Sequence, residues 1–193
     1  MKKEKEVNAV ENRIKDEEVA KHTIKDSVFT DLFQDKKYLI QLYRTLHPED
    51  QDTTEEQLSN ITIHNIMTND VYNDVGFMVG EKLLILTEAQ ATWTENIAVR
   101  ILIYLMVTYQ DYIKKTKQNV YKSKKIRLPK PEMYVIYTGD RKERPEYISL
   151  AEEFFDGQNI FLDAKIKVLY GSDKDDIISQ YVEFTNVYTE QVK

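Results

Sequence analysis

Two carboxylates and an amide stand at neighbouring positions of a predicted β-hairpin. Asp74 opens one predicted strand, and Glu88 and Gln90 lie in the next. Side chains alternate faces along a strand, so Glu88 and Gln90 project on the same side. An antiparallel hairpin brings the start of its first strand beside the end of its second. We therefore expect Asp74 to lie next to the Glu88/Gln90 pair.

Clustered carboxylates repel each other unless a cation lies between them or they share a proton. A hard divalent cation such as Mg²⁺ or Mn²⁺ prefers oxygen ligands and keeps some of its waters. We predict that Asp74, Glu88 and the backbone carbonyl of Ala89 bind this ion. The ion would polarise a phosphate ester and lower the pKa of an attacking water. Gln90 would orient that water or hold a phosphate oxygen.

A purely structural interpretation of these residues stays open, because the spacing D-x13-E-x-Q is a loose pattern. In that interpretation Glu88 pairs with a lysine, and Gln90 bonds to backbone. The role of Arg100 is also open, because its guanidinium can contact either a phosphate or a carboxylate in a structural salt bridge.

The elements that position these residues follow from hydrophobic periodicity. Apolar side chains recur at helical spacing from Val28 to Leu46, after a cap at Asp26 or Ser27. Thr53 and Thr54, with Glu56 and Gln57, offer a capping box for a short helical turn. The pattern then changes to β-favouring runs, which predict strands around 61–66, at 74–79 and at 83–92, with a tight turn at 80–82 between the last two.

The second half of the chain alternates again. Thr94 can cap a long helix that runs to about Lys114, and its surface is so apolar that we expect burial on both sides. The later elements are predicted as an interior strand at 133–138, a helix at 147–155, a strand at 164–170 and a helix from about 174. This alternation predicts an α/β sandwich with a mixed central β-sheet flanked by helices.

Composition excludes several classes of protein. The 193 residues fit one domain, with 41% hydrophobic and 31% charged residues. Cysteine is absent, which excludes disulfides and thiolate metal sites, and the three histidines lack ligand spacing. The sequence contains neither an apolar run long enough for a bilayer nor a secretion signal. We therefore predict a cytoplasmic protein without a membrane partner.

The net charge of −6 argues against a non-specific nucleic-acid binder, but the charge is unevenly distributed. Residues 112–131 hold eight cations and no acid. One interpretation is a solvated loop, and the other is a stripe that contacts the phosphates of DNA. The candidates for phosphate contact are Lys114, Lys115, Lys122, Lys124, Lys125 and Arg127.

Three segments together resemble a known family. Residues 25–33 (KDSVFTDLF) are similar to a D-x-x-F-K-x-L-F helix, residues 73–77 (NDVGF) to an N-D-[LV]-x-F segment, and residues 86–92 (LTEAQAT) to a strand with E-x-Q. Residues 100–105 and 128–139 also look like family features. Over about residues 25–139, the chain resembles the bacterial recombination-promoting nuclease/putative transposase family of the PD-(D/E)XK superfamily.

The resemblance implies a restriction-endonuclease-like three-layer sandwich and Mg²⁺-dependent DNA cleavage, linked to recombination and mobile elements. It implies that Asp74 binds the metal and that Glu88 and Gln90 form the local version of (D/E)-x-K. It also implies that Asp26 assists near the metal, with a helix N-cap as the alternative. The sequence departs from the pattern at Thr30, where the family often has lysine, and at Gln90, where the superfamily has lysine.

We therefore predict an arm over residues 1–24 and a nuclease-like domain over residues 25–193, with a core at 25–139 and an extension at 140–193. The predicted function is that of a divalent-metal-dependent DNA endonuclease. Cutting both strands commonly uses two active sites, which is compatible with a homodimer. The alternative is a catalytically weak or inactive module of the same fold that acts in DNA binding or protein interaction. The acidic charge and Thr30 favour this alternative, and the Asp74/Glu88/Gln90 set favours the enzyme.

Overall fold

The computed structural model of the chain describes residues 28–61, 74–89, 93–158 and 160–191, without the side chains of 87–89. The helices are residues 28–34 (α1), Lys36–Leu46 (α2), Ile97–Lys115 (α3), Leu150–Phe155 (α4) and Ile177–Gln191 (α5), with a 3-10 turn at Glu55–Gln57. The strands are Leu58–Ile61 (β1), Asp74–Val79 (β2), Lys82–Ala89 (β3), Lys130–Tyr137 (β4), Tyr147–Ser149 (β5) and Lys165–Tyr170 (β6).

These strands form one mixed sheet in the order β1-β2-β3-β4-β6-β5. The first three strands are antiparallel, β3, β4 and β6 run parallel, and β5 returns antiparallel at the edge. The predicted α/β class with a mixed sheet and flanking helices is confirmed. Strands of the segment 140–193 belong to the same sheet as the strands before it. Within the described ranges, no helix is both long and apolar enough to cross a membrane.

The predicted β2–β3 hairpin is confirmed. Val79 pairs with Lys82, so the loop is the two residues Gly80 and Glu81, one fewer than predicted. Gly80 has a φ of +56°. Of the two loop residues, Gly80 alone has a positive φ. A positive φ at the first position of a two-residue loop, and not at the second, is typical of a type II′ turn, which favours glycine there.

Hydrophobic side chains fill both faces of the sheet because neighbouring strand residues alternate. On one face, Phe77 and Leu84 pack with fully buried residues of α1 and α2 and with Tyr181 of α5. On the other face, Leu83 and Ile85 pack against α3. Full burial of each such side chain stabilises the fold by roughly 2 kcal/mol. Helices therefore cover the sheet on both sides.

The first predicted helix is interrupted. The helical pattern from Val28 to Leu46 breaks at Asp35, whose carboxylate accepts a 2.9 Å hydrogen bond from the Lys37 N–H and caps α2. An aspartate that bonds to nearby backbone competes with continued helix, which explains the break. The proposed caps Asp26 and Ser27 lie outside the described residues. The capping box at Thr54 is confirmed, since its N–H donates to Gln57 Oε1 at 2.8 Å.

The prediction that the long helix is buried on both sides was wrong. One face of α3 meets the sheet, but Met106 is 59% exposed and Val99 is 36% exposed on the other side. Periodicity could not show this, because it reports how apolar a surface is and not whether a second layer covers it. The helix also begins at Ile97 and not at Thr94, whose hydroxyl accepts from the Asn96 N–H in the preceding turn.

The helix predicted at 147–155 was wrong in its first three residues. Tyr147–Ser149 pair with β6 as strand β5, and Ser149 then caps α4 by accepting from the Glu152 N–H. Sheet pairing thus overrides the local pattern. The last helix begins at Ile177, three residues after the predicted start. The interior position of β4, between β3 and β6, agrees with its continuous apolar run.

Candidate functional site

Asp74 is the first residue of β2 and lies opposite Thr87 of β3. Its side chain is 3% exposed, and its Oδ1 atom is 3.8 Å from Nη2 of Arg100 on α3. A buried carboxylate needs a compensating charge. The guanidinium of Arg100 supplies it, so the structural-carboxylate interpretation of Arg100 describes the contact that is present.

Glu88 follows Thr87 directly. Its backbone pairs with Ile136 of β4. The hairpin therefore brings Asp74 and Glu88, fourteen residues apart in sequence, within one register step of each other. The side chains of 87–89 and the whole of Gln90 lie outside the described residues.

The register has a consequence for metal binding. Residues directly opposite in an antiparallel pair face the same side of the sheet, and successive residues of a regular strand face opposite sides. Because Asp74 lies opposite Thr87, one ion can be shared with Glu88 only where the chain departs from regular pleating after Thr87. No such departure occurs within the described part of β3, whose ladder with β4 stays in register through the pairs Glu88–Ile136 and Ala89–Tyr137.

The donor chemistry of this corner fits a hard divalent cation, since a carboxylate and a backbone carbonyl are the oxygen ligands that Mg²⁺ binds. Among the described side chains, however, no three His, Asp or Glu residues converge as possible metal ligands. Arg100 also competes for the same carboxylate. Asp74 is therefore a single candidate metal ligand, and it lies beside the cationic side chain of Arg100. A complete set of metal ligands would also need Glu88.

Aromatic rings and arginines occupy the same end of the sheet, at the carboxyl ends of β4 and β6. Trp93 packs edge-to-face on Tyr137 at 5.4 Å, and the Arg141 guanidinium carbon lies 4.4 Å from the centre of the Trp93 ring. Arg144 lies 5.4 Å from the ring of Tyr170. Burial raises the pKa of Tyr170, and the two arginines oppose that rise. Trp93 thus packs against the hydrophobic cluster on the α3 side of the sheet.

A cleft of about 780 Å³ opens at this end, lined by Tyr137, Arg144, Tyr170 and Lys174 together with acidic residues of the α5 region. Ligands of α/β proteins commonly bind at the carboxyl ends of parallel strands. Sequence reasoning did not single out Arg141 or Arg144. The available signal was their position shortly after the predicted interior strand at 133–138.

The cation-rich segment 112–131, which we call the basic loop, leads into β4 at the end of the sheet opposite Asp74. Lys130 begins β4 opposite Lys82, and its N–H donates to the Glu81 carbonyl at 2.7 Å. Asp74, by contrast, lies opposite Thr87, which is five residues, or roughly 17 Å, further along β3. The structure therefore does not bring the candidate phosphate contacts of the loop to Asp74. All six of those candidates are exposed: Lys114, Lys115, Lys122, Lys124, Lys125 and Arg127.

A cluster of polar side chains that sequence reasoning missed surrounds His47, at the Lys82 end of the sheet. His47 is 7% exposed, and a carboxylate lies beside each of its ring nitrogens. Nδ1 is 2.9 Å from Glu49 Oε1, and Nε2 is 2.7 Å from Glu132 Oε2. The Tyr134 hydroxyl also donates to Glu132. His47 and Glu132 are 85 residues apart, so no local pattern predicts their contact.

The cluster extends through Tyr43. Its hydroxyl donates to Asp50 Oδ2 at 2.6 Å and accepts from Lys82 Nζ at 3.0 Å. Burial and the bond to Asp50 raise the pKa of Tyr43, and the bond to Tyr43 raises the pKa of Lys82. Donation by Tyr43 and Thr53 lowers the pKa of Asp50. This closed network ties the end of α2 to the beginnings of β3 and β4.

Comparison of the chain with protein-family models, with curated proteins and with solved structures gives no match. The nuclease resemblance therefore rests on the sequence motifs, and the structure adds the position of Asp74 beside β3.

Proposed function

We propose that this protein is a divalent-metal-dependent DNA endonuclease with a restriction-endonuclease-like three-layer fold, associated with recombination or mobile elements. The main support for the proposal is the position of Asp74. Its carboxylate is only 3% exposed at the start of β2, and its pairing partner Thr87 directly precedes Glu88. The mixed sheet with helices on both faces is compatible with that fold. We infer the DNA substrate from the sequence motifs that resemble the nuclease family.

The roles of the residues follow from their chemistry. Asp74, Glu88 and the Ala89 carbonyl would hold Mg²⁺ or Mn²⁺, which requires the Glu88 carboxylate to reach the face of the sheet on which Asp74 lies. The bound ion supplies activation of water and polarisation of the scissile phosphate. Gln90 would orient the water. Arg100 neutralises Asp74 and, being 35% exposed, is within reach of a phosphate oxygen at the same corner.

Plasmid nicking with Mg²⁺ or Mn²⁺ tests the proposal. Asp74→Asn and Glu88→Gln keep side-chain volume and remove charge, and we expect each to reduce nicking by at least about 100-fold. Asp111→Asn is the matched control, because Asp111 pairs with Lys114 near the far end of α3 and should keep wild-type activity. Equal nicking by all four proteins would exclude Asp74 and Glu88 from catalysis.

One observation favours the alternative of an inactive module. Arg100 already balances the charge of Asp74, so the fold does not require an ion at this position. Arg100→Gln separates the two functions. In the enzyme, Mg²⁺ or Mn²⁺ should restore the melting temperature that this variant loses, because the ion replaces the missing positive charge. In an inactive module the loss should be the same with and without the ion.

A further inference from the structure

The exposed side of α3 and the loop after it enclose a groove of about 520 Å³, which we call the basic groove. Its apolar lining includes Met106, Ile113, Val120, Tyr121 and Leu128. Tyr121 is 96% exposed, and Val120 is 53% exposed. Residues 112–129 around it carry seven cations and no acid. An apolar surface with a charged rim is typical of an interaction site.

Hydrogen bonds hold the walls of the basic groove in place. Lys117, which follows the C-cap residue Thr116 of α3, has a φ of +54°. The Arg127 N–H donates to Gln118 Oε1 at 2.6 Å, and Gln118 Nε2 donates back to the Arg127 carbonyl at 2.9 Å. The Tyr109 hydroxyl donates to the Pro129 carbonyl at 2.8 Å. A partner would therefore meet a shaped surface and lose less conformational entropy on binding.

A second surface, residues 150–158 and 160–163 with helix α4, has the complementary composition, and we call it the acidic knob. It carries four acids and no cation. Its exposed apolar side chains are Phe154 (41%), Phe155 (45%), Phe161 (114%) and Leu162 (61%). Full exposure of a phenylalanine is costly in water, so this surface also gains from a partner.

The acidic knob is ordered by its own contacts. The Asp163 carboxylate accepts from the Ser149 hydroxyl at 2.9 Å and from the Ala151 N–H at 3.0 Å. The backbone bond to Ala151 and the bond to Ser149 lower the pKa of Asp163 and keep it charged. The Gly157 N–H donates to the Ala151 carbonyl and closes the end of α4.

We propose that the acidic knob of one copy of this chain docks into the basic groove of a second copy. Opposite charges on the two rims steer and orient the contact, and the apolar side chains inside the rims supply the buried area. Nucleic acid would match the cations of the groove but leave the knob uncovered. A second copy covers both surfaces at once. The inference is independent of the proposed nuclease function.

Sedimentation velocity of the full chain over a concentration series tests this docking. Wild type should self-associate, and rising salt should weaken the association by screening the rims. The groove variant Lys122→Glu/Lys124→Glu/Lys125→Glu and the knob variant Phe161→Ser/Leu162→Ser should each weaken it at least about tenfold. All five positions are exposed, and circular dichroism melting checks that both variants are folded.

The matched control is Lys37→Glu/Lys142→Glu/Lys174→Glu, which changes the net charge equally at exposed positions outside the groove. It should associate like wild type. An equimolar mixture of the groove and knob variants should associate again, because the first keeps an intact knob and the second an intact groove.

Four results would overturn the proposal. The first is a wild type that stays monomeric at every concentration. The second is a control as weak as the groove variant, and the third is a mixture that does not recover. A groove variant that loses binding to a labelled DNA oligonucleotide but keeps its self-association would also overturn it and assign the groove to DNA.

Discussion

The two ends of strand β3 differ in how their polar side chains are arranged. At the Lys82 end, the Tyr43 hydroxyl is 2.6 Å from Asp50 and 3.0 Å from Lys82 Nζ. His47 lies 2.7 Å from Glu132, and Lys82 Nζ joins the two groups at 3.4 Å from His47 Nδ1. At the Thr87 end, a buried carboxylate of Asp74 lies 3.8 Å from the guanidinium of Arg100. The first end is a network of several hydrogen bonds, and the second holds a buried carboxylate paired with an arginine of α3.

Polar residues at a strand end can therefore serve two distinct purposes. Short, mutually satisfied bonds fix one arrangement and stabilise the fold. A carboxylate beside the carboxyl ends of parallel strands lies where ligands of α/β proteins commonly bind. We accordingly assign stability to the Lys82 end and propose chemistry at the Thr87 end.

The largest expected effect is on activity. His47→Gln should leave metal-dependent nicking at the wild-type level at a temperature where the variant is folded, whereas Asp74→Asn should lower it at least about 100-fold. His47 lies at the opposite end of β3 from the proposed site, so it has no contact with the substrate there. If folded His47→Gln were inactive and Asp74→Asn active, the assignment of the two ends would be reversed.

The next effect is on stability. Glu132→Ala removes the carboxylate that contacts both His47 and Tyr134, and it should lower the free energy of unfolding by about 2 kcal/mol. Urea unfolding measures this. Glu49→Ala is the control, because its side chain is 67% exposed and should cost much less. Similar losses of unfolding free energy in both variants would show that the buried contact of Glu132 stabilises the fold no more than the exposed contact of Glu49.

A smaller effect is expected at the turn that sets the register of both ends. An added Cβ at Gly80 would meet no atom within 4 Å, so Gly80→Ala tests backbone strain alone. At a φ of +56°, the expected cost is about 1 kcal/mol of unfolding free energy. An unchanged urea midpoint would mean that the turn relaxes without cost.

The smallest effect concerns the pH dependence of the network. Hydrogen bonds from Tyr43 and Thr53 lower the pKa of Asp50 in the folded state. A lowered pKa contributes stability above the unfolded value, near 3.8, and this contribution is lost as the pH falls through the folded value. Asp50→Asn should therefore flatten the fall in stability below about pH 4. Equal acid slopes for wild type and variant would contradict a stabilising role for this carboxylate.

Local patterns predicted the elements whose cause is local. The hairpin from Asp74 to Ala89 follows from two β-favouring runs around a glycine that adopts a positive φ. The interior strand β4 follows from its continuous apolar run. The break at Asp35 was missed because the surrounding residues keep helical periodicity across it. Strand β5 was missed because three residues carry too little pattern to outweigh the adjacent helix.

For the candidate site, the sequence indicated Asp74 and its proximity to Glu88, and the described structure supplied the neighbours. Arg100 was already ambiguous between a phosphate and a carboxylate, and only its distance to Asp74 shows the contact that forms. The cations of the basic loop are conspicuous in the sequence, yet the direction of β4 carries them to the far end of the sheet. A run of charged residues in the sequence shows which charges are present, but not where the fold places them.

By itself, the sequence determined the alternation of elements, the hairpin turn and the apolar faces, because these depend on residues within a few positions of one another. Tertiary structure alone decided that His47 meets Glu132, that one side of α3 stays uncovered and that the basic loop lies away from Asp74. Each of these depends on which strands become neighbours, and strand pairing joins residues whose separation along the chain leaves no local trace.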